Sequence, residues 1–273
     1  MNALWSQLAG SHGAQPSSTH VAWEVVVLAV LGTVGIVWFK SLSQQGQGSF
    51  FQSWGVRLKK VARATTEIER KTFHLTGLGV PLAYHICTTH AGWTHAHFLN
   101  FAWACTGLIW LGDCFRVMIP GAINYFPFSI LKGILRDKER RQLSGTCFFS
   151  LGCTMSLALY PPAVAITSIV WLVVGDMSAA LVGVAFGGEA CVVKMGREGK
   201  KSLEGSVAMF AACLLCGMGF WWDTRLCDYC VLVGSLVATL VELHEPLALN
   251  DNITIPIASG AALQWALGRV EGC

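Results

Sequence analysis

The chain has 273 residues, of which 53% are hydrophobic and 13% are charged, and its formal net charge is +3. Soluble globular domains carry about 25% charged residues, so this chain has too little polar surface to coat a globule in water. The small net charge also gives no reason to expect a nucleic-acid partner. The apolar residues come in blocks close to the ~20 residues that cross a hydrocarbon core, which predicts an integral membrane protein.

These blocks predict an all-α fold, a polytopic transmembrane helical bundle of about eight spans. The first 20 residues are polar and small, so we interpret residues 1–20 as a short flexible head and residues 21–273 as a single transmembrane domain. Gly and Pro interrupt several blocks, which a membrane bundle tolerates where neighbouring groups satisfy the backbone. The predicted spans are residues 21–39, 73–90, 98–118, 143–160, 162–186, 203–222, 229–246 and 253–268.

The basic residues predict how the spans are oriented. Three basic segments, 57–71, 132–141 and 194–201, are separated from one another by two spans each, so all three face the same compartment. With eight spans, Arg225 and Arg269 are the only two of the 19 Lys and Arg residues on the opposite side. This bias is the positive-inside pattern, so the shared side is predicted to be the cytoplasm.

Two stretches between the spans differ from simple loops. Residues 50–70 and 122–135 combine aromatic and aliphatic side chains with Lys and Arg at helical spacing. That pattern predicts one or two amphipathic helices that lie at the cytoplasmic interface. Such helices either anchor the chain to the membrane surface or line an entrance for lipid.

Asp176 lies well inside the predicted span 162–186. An ionisable group at that depth costs roughly 2.5–3.5 kcal/mol, so it usually faces a cavity or a partner. Gly183 and Gly187 follow it at the spacing of a small-residue packing motif. Packing explains the glycines, but it does not explain the carboxylate, and we therefore expect Asp176 to be functional.

The segment 199–206 opens the next span and reads GKKSLEGS. Its Lys, Ser and Gly residues at the start of a helix form a plausible anion site, because ammonium groups and helical N–H groups converge there. The spacing is not that of a Walker A loop. The alternative is a helix cap beside ordinary cytoplasmic lysines.

Two further polar clusters are predicted on the same side. Glu69, Arg70, Lys71 and His74 precede the second span, where a helix would place the cations close to the imidazole. Late in the chain, carboxylates and an amide surround a short connection. They are hard oxygen ligands suited to a magnesium ion that bridges substrate phosphates, although a solvated loop would have the same composition. These residues are Glu242, Glu245, Asp251 and Asn252.

Cations, carboxylates and a Gly-rich backbone together are what phosphoryl transfer requires. Lys and Arg neutralise phosphate, carboxylates hold Mg²⁺, and the protein does little covalent chemistry. We therefore expect the transmembrane domain to be catalytic and to act on a phosphate-bearing substrate within the membrane.

Five ordered motifs also resemble a known family. They are Arg70-Lys71-x-x-His74, Leu143-Ser-Gly145-Thr, Gly175-Asp176-x-x-Ala179-Ala-x-x-Gly183-x-x-Phe186-Gly187, Lys201-Ser-Leu-Glu204-Gly-Ser206 and Asp251-Asn-x-Thr254-x-Pro256. The set resembles the CTP-dependent lipid kinases, a family that contains dolichol kinase, phytol kinase and the CTP-using diacylglycerol kinase and that is related to phosphatidate cytidylyltransferase. The resemblance covers residues 65–265.

The resemblance implies transfer of the γ-phosphate of CTP to the hydroxyl of a membrane lipid alcohol. Diacylglycerol is the first candidate, and phytol or a dolichol-type polyprenol remains possible. The expected catalytic residues are Asp176, Arg70, Lys71 and Lys201. The expected nucleotide-binding residues are Gly183, Gly187, Lys200, Ser202, Glu204, Gly205, Ser206 and Arg140. The expected ligands of Mg²⁺ or another divalent cation are Asp176, Glu242, Asp251 and Asn252, and the candidate bases are Glu69, His74 and again Asp176.

Two other functions are compatible with the same residues. A cytidylyltransferase would form CDP-diacylglycerol from CTP and phosphatidate, and a non-enzymatic transporter would use Asp176 and Glu242 as buried ion sites. In each case the expected location is a membrane, with the site facing the cytoplasm. The membrane is the endoplasmic reticulum if the source is eukaryotic and the plasma membrane if it is bacterial.

Overall fold

A computed structural model describes the larger part of the chain. It covers residues 75–119, 121–125, 142–186, 194–195, 201–221, 228–244 and 249–270, together with Val27. The predicted first span at 21–39, apart from Val27, and the predicted amphipathic stretch at 50–70 lie outside the described residues. So does most of the stretch 122–135, whose described part contains a short 3₁₀ turn, Ala122–Asn124.

The described residues are almost entirely helical, which confirms the all-α prediction. A 3₁₀ turn, Thr76–Leu78, precedes the first helix. The only extended residues in these ranges form an antiparallel pair of two-residue strands, β1 (Lys194–Met195) and β2 (Lys201–Ser202). The helices are α1 (Gly79–Thr89), α2 (His95–Met118), α3 (Gly145–Leu159), α4 (Pro162–Val170), α5 (Asp176–Phe186), α6 (Leu203–Phe220), α7 (Asp228–His244) and α8 (Asp251–Val270).

A π-helical turn, Trp171–Gly175, joins α4 to α5 so that the two form one continuous rod. Such wide turns are rare and occur frequently at functional sites. Here the turn ends at the residue directly before Asp176, the carboxylate for which packing gave no explanation.

A helix occupies each of the last seven predicted spans, and three of the described helices are long and apolar enough to cross a membrane. These three are His95–Met118, Pro162–Gly183 and Leu203–Phe220. Helix α3 is apolar but shorter. The total of eight spans therefore stays a prediction, whereas candidate membrane-spanning helices are present.

The bundle has an apolar exterior and places hydroxyl pairs inside. Leu108 and Leu111 of α2 are each 70% exposed, as expected for side chains that face lipid. Between helices, Thr106 and Thr154 share a hydrogen bond of 2.8 Å. Without a hydrophobic force between helices in lipid, such polar contacts and close packing hold the helices together.

The centre of the bundle is built around Trp171, which is fully buried. Its indole N–H donates to the carbonyl of Cys213 on α6 at 2.7 Å. A Cβ placed on Gly217 of α6 or on Gly234 of α7 would touch the Trp171 ring. The two glycines thus make room for the indole, and the π turn that contains it is locked between α6 and α7.

The polar ends of five helices meet at one end of the bundle, which we call the site end. The N-terminus of α3 contacts α2 through Ser144 and Asp113, and it contacts α8 through Gly145 and Asn252. Lys201, just before α6, reaches the C-terminal part of α7. Gln142 lies just before α3, and Lys201 lies just before α6. The chain therefore reaches the site end at more than one point along the sequence.

Candidate active site

Lys201 lies among carboxylates at the site end. Its ammonium group donates a hydrogen bond to the Oε1 atom of Glu242, and it lies 3.8 Å from the Oδ2 atom of Asp251. The Glu242 side chain is only 5% exposed and that of Lys201 is 20% exposed, so the pair is largely shielded from solvent. Residues from β2, α7 and α8 therefore form one charged cluster.

Asp176 is the third carboxylate of this cluster. It is 6% exposed at the start of α5, and its charge acts on Lys201. Burial by itself lowers the pKa of the Lys201 ammonium, but Glu242, Asp251 and Asp176 outweigh that effect and raise the pKa to about 12. Lys201 is therefore a permanent cation at physiological pH.

The local sequence explains why Lys201 is placed here. Ser202 is the N-cap of α6, and its Oγ accepts a hydrogen bond from the N–H of Gly205 at 3.2 Å. The Ser206 hydroxyl donates to the Ser202 carbonyl at 3.3 Å. Glu204 adds a negative charge to the first turn of α6, where the helix dipole favours it. The capped turn fixes the backbone directly after Lys201.

Close packing of α5 against α6 brings Asp176 toward that turn. A Cβ placed on Gly205 would lie 2.7 Å from the Ala179 carbonyl oxygen and 3.4 Å from the Gly183 Cα. A Cβ on Gly183 would lie 3.1 Å from the Ser202 Oγ. The small-residue stripe thus packs two helices, and the predicted contacts of Gly183, Gly205, Ser202 and Ser206 with a nucleotide stay predictions.

Asp251 and Asn252 form the first turn of α8 and not a connection before it. The Asn252 side-chain amide donates to the Gly145 carbonyl at 3.2 Å, so it links α8 to α3. Asp251, its neighbour, faces Lys201 instead. This hydrogen bond uses the amide nitrogen of Asn252, whereas a metal would bind its oxygen, so the metal-ligand role of Asn252 stays a prediction. Asp251 lies within the cluster.

The carboxylates suit a magnesium ion in chemistry, although they are not arranged as a ready-made cage. Within the described ranges, no three His, Cys, Asp or Glu residues approach closely enough to hold a metal ion. Mg²⁺ usually takes only one or two carboxylates and completes its shell with water and substrate phosphates. One or two of Asp176, Glu242 and Asp251 would be enough for that mode of binding, and Mg²⁺ stays a prediction.

Several predicted site residues lie outside the described residues. They are Glu69, Arg70, Lys71, His74, Arg140, Gly187 and Lys200. Sequence reasoning also missed a buried ion pair, Asp113 with Arg116 on α2. The signal was present, because Asp113 is a carboxylate inside an apolar span just as Asp176 is.

Three relatives resemble this chain. A 169-residue match is 29% identical to probable phytol kinase 3, chloroplastic, of Glycine max, and covers 53% of this chain and 51% of that protein. A second is 25% identical to CTP-dependent diacylglycerol kinase 1 of Schizosaccharomyces pombe and covers 56% of this chain and 73% of that protein. An uncharacterised protein of Rickettsia prowazekii is 26% identical over 70% of this chain and 90% of its own length.

These relatives confirm the resemblance to the CTP-dependent lipid kinases that the five motifs indicated. The chain spans about half the length of the phytol kinase. No family model matches the chain. No solved structure matches it significantly.

Proposed function

We propose that this chain is a membrane-embedded lipid kinase that transfers the γ-phosphate of CTP to the hydroxyl of a lipid alcohol, with diacylglycerol as the first substrate to test. The observation that carries the proposal is the shielded cluster of Lys201, Glu242, Asp251 and Asp176 at one end of a bundle with an apolar exterior. Lys201 and Asp251 keep 20% and 32% of their side chains exposed, and a phosphate-bearing substrate would need such exposure to contact the cluster. The names of the phytol and diacylglycerol kinases point to the same reaction.

In the proposed reaction the lipid hydroxyl oxygen attacks the γ-phosphorus of CTP. The bond from that phosphorus to the β–γ bridging oxygen breaks, giving CDP and a lipid phosphate monoester, and the hydroxyl proton is released. Glu69, His74 and Asp176 are the candidate acceptors for that proton. Lys201 supplies positive charge beside the transferred phosphoryl group, where negative charge accumulates.

A bound Mg²⁺ would neutralise the β- and γ-phosphates and orient them for in-line attack. Asp176, Glu242 and Asp251 are the residues that would hold it, and Asn252 fixes the first turn of α8 beside Asp251. Arg70, Lys71, Lys200 and Arg140 are proposed as further phosphate-binding cations on the basis of the motifs. The site is proposed to face the cytoplasm.

The test is transfer of label from CTP to lipid by the purified full-length chain. We expect γ-³²P to enter diacylglycerol, phytol or a polyprenol in the presence of Mg²⁺, and EDTA to stop the transfer. A cytidylyltransferase would instead place α-³²P in phosphatidate-derived lipid and release the γ-phosphate in pyrophosphate. Ion or solute uptake into liposomes without consumption of CTP would indicate a transporter.

Asp176→Asn tests the site itself. Removal of the charge is expected to lower the transfer rate by a factor of about 100 or more while the protein keeps its size-exclusion profile and Tm. Asp228→Asn is the matched control, because Asp228 is an exposed carboxylate at the start of α7, at the other end of that helix from Glu242. A near-normal rate for Asp176→Asn would remove Asp176 from the proposed machinery.

A further inference from the structure

A second buried charged group lies at the site end, outside the cluster around Lys201. Asp113 and Arg116 occupy one turn of α2 and are only 6% and 3% exposed. The Arg116 Nε–H donates to the Asp113 Oδ1 at 2.5 Å. Removing both charges from water costs free energy, and an apolar pair in the same place is often equally stable. Stability alone therefore does not explain why an ion pair is buried here.

Asp113 and Arg116 also form hydrogen bonds with the backbone that leads into α3. The other carboxylate oxygen of Asp113 accepts the N–H of Ser144 at 2.7 Å and the thiol of Cys147 at 3.3 Å. Arg116 donates from its terminal guanidinium nitrogen to the Gln142 carbonyl at 2.8 Å. Ser144 is the N-cap residue of α3, but its side chain makes no capping hydrogen bond. Asp113 therefore supplies negative charge at the N-terminus of α3 from a neighbouring helix.

The N-terminus of α3 is in turn attached to the turn that carries Asp251. The Gly145 carbonyl accepts the Asn252 amide at 3.2 Å. Two helical turns further along α3, Gly152 packs directly on the Asn252 carbonyl, where any Cβ would collide with backbone. These two contacts with the backbone connect α3 to the first turn of α8. Asp251 of that turn faces Lys201.

We infer that Asp113 and Arg116 are positioning residues for the proposed kinase site. They hold the N-terminus of α3, which holds the first turn of α8 and hence the Asp251 carboxylate. The inference rests on the proposed function. Gln142, whose carbonyl Arg116 binds, follows Arg140 of the second basic segment by two residues in the sequence.

The experiment compares Asp113→Asn with Thr106→Val in the full-length chain. Thr106→Val removes the 2.8 Å hydrogen bond between the same two helices, about two turns further from the site end. Asp113→Asn is expected to lower kcat for phosphoryl transfer by about 10- to 100-fold, because small displacements of a catalytic group have effects of that size. Thr106→Val is expected to lower the Tm and to keep kcat within about twofold of the wild type.

Hydrogen exchange of the backbone amides at 251–255 provides a readout that does not depend on activity. Faster exchange there in Asp113→Asn, but not in Thr106→Val, is the expected result. Kinetic coupling gives the third readout: if Asp113 acts through Asp251, Asp113→Asn should add little to the loss already caused by Asp251→Asn.

Equal behaviour of Asp113→Asn and Thr106→Val in both kcat and exchange would overturn the inference, as would losses that multiply in the double variant. If Asp113→Asn does not fold, Arg116→Lys takes its place. Lys keeps the charge next to Asp113, but its single nitrogen cannot replace the two separate guanidinium nitrogens that bind Asp113 and Gln142. A wild type that transfers no phosphate from CTP to any lipid would refute the proposed function alone. The exchange at 251–255 would then still decide the positioning role.

Discussion

Lys201 has two physical roles, and mutation can separate them. Its ammonium compensates the buried Glu242 carboxylate, and it also supplies positive charge beside the proposed phosphate position. Removing one partner of a buried ion pair leaves an uncompensated charge, which costs on the order of 3–5 kcal/mol. A loss of activity in a Lys201 variant could therefore reflect either unfolding or lost catalysis.

The variant Lys201→Met is expected to lower the free energy of unfolding by about 3 kcal/mol and to abolish transfer. Adding Glu242→Gln removes the uncompensated carboxylate, so the double variant should recover most of the Tm measured in detergent. Phosphate transfer should stay absent in the double variant, because the cation proposed to lie beside the transferred phosphoryl group is missing. Recovery of activity together with the Tm would mean that Lys201 is only a counter-ion for Glu242.

At the scale of elements, the contact between α5 and α6 decides how Asp176 and Lys201 approach each other. A methyl group on Gly205 would lie 2.7 Å from the Ala179 carbonyl oxygen, a backbone atom that cannot swing away. Gly205→Ala is therefore expected to separate the helices, to destabilise the protein by about 1–3 kcal/mol and to lower kcat. Tm and initial rates with saturating CTP are the measurements.

Gly107→Ala is the matched control for Gly205→Ala. Gly107 also lies inside a candidate membrane-spanning helix, but nothing lies within 4 Å of a Cβ placed there. Alanine should be neutral or should stabilise α2 by about 0.5–1 kcal/mol, because it loses less conformational freedom than glycine on folding. If both variants lower the Tm equally, the contact of Gly205 with α5 does not account for the effect at Gly205.

Some of the helices could be predicted from the sequence, and the π turn could not. Long apolar blocks predicted α6 at 203–222 and α7 at 229–246, and the structure places these helices at Leu203–Phe220 and Asp228–His244. Such blocks have a local cause, the thickness of the hydrocarbon core. The π turn at Trp171–Gly175 has no such cause, because it depends on the contacts of Trp171 with α6 and α7.

The residues of the charged cluster could be predicted from the sequence, but which of them contact one another could not. A carboxylate in an apolar span identifies Asp176 without a structure, since its cost in the membrane is a local property. That Lys201 joins Glu242 and Asp251 follows only from how α6, α7 and α8 pack. The same limit explains why the contact of Asn252 with α3 could not be predicted, and its role as a metal ligand stays a prediction.

At the scale of the whole molecule, the site end must lie on one face of the membrane. Gln142 and Leu249 are exposed at the site end. Ala91, which follows α1, and Asp228, the first residue of α7, are exposed at the opposite end of the bundle. The positive-inside pattern predicts that the site end faces the cytoplasm. Single Cys substitutions at these four positions report on both statements.

In sealed right-side-out vesicles, a membrane-impermeant maleimide is expected to label the Cys variants of Ala91 and Asp228 from outside. The variants of Gln142 and Leu249 should react only after the vesicles are opened. Peptide-level mass spectrometry separates each introduced thiol from the 11 native cysteines. Complete reversal of the pattern would keep the bundle and invert its orientation. Labelling of Gln142 and Leu249 from opposite faces would instead break the site, since the contact from Asn252 to Gly145 requires α3 and α8 to begin on the same side.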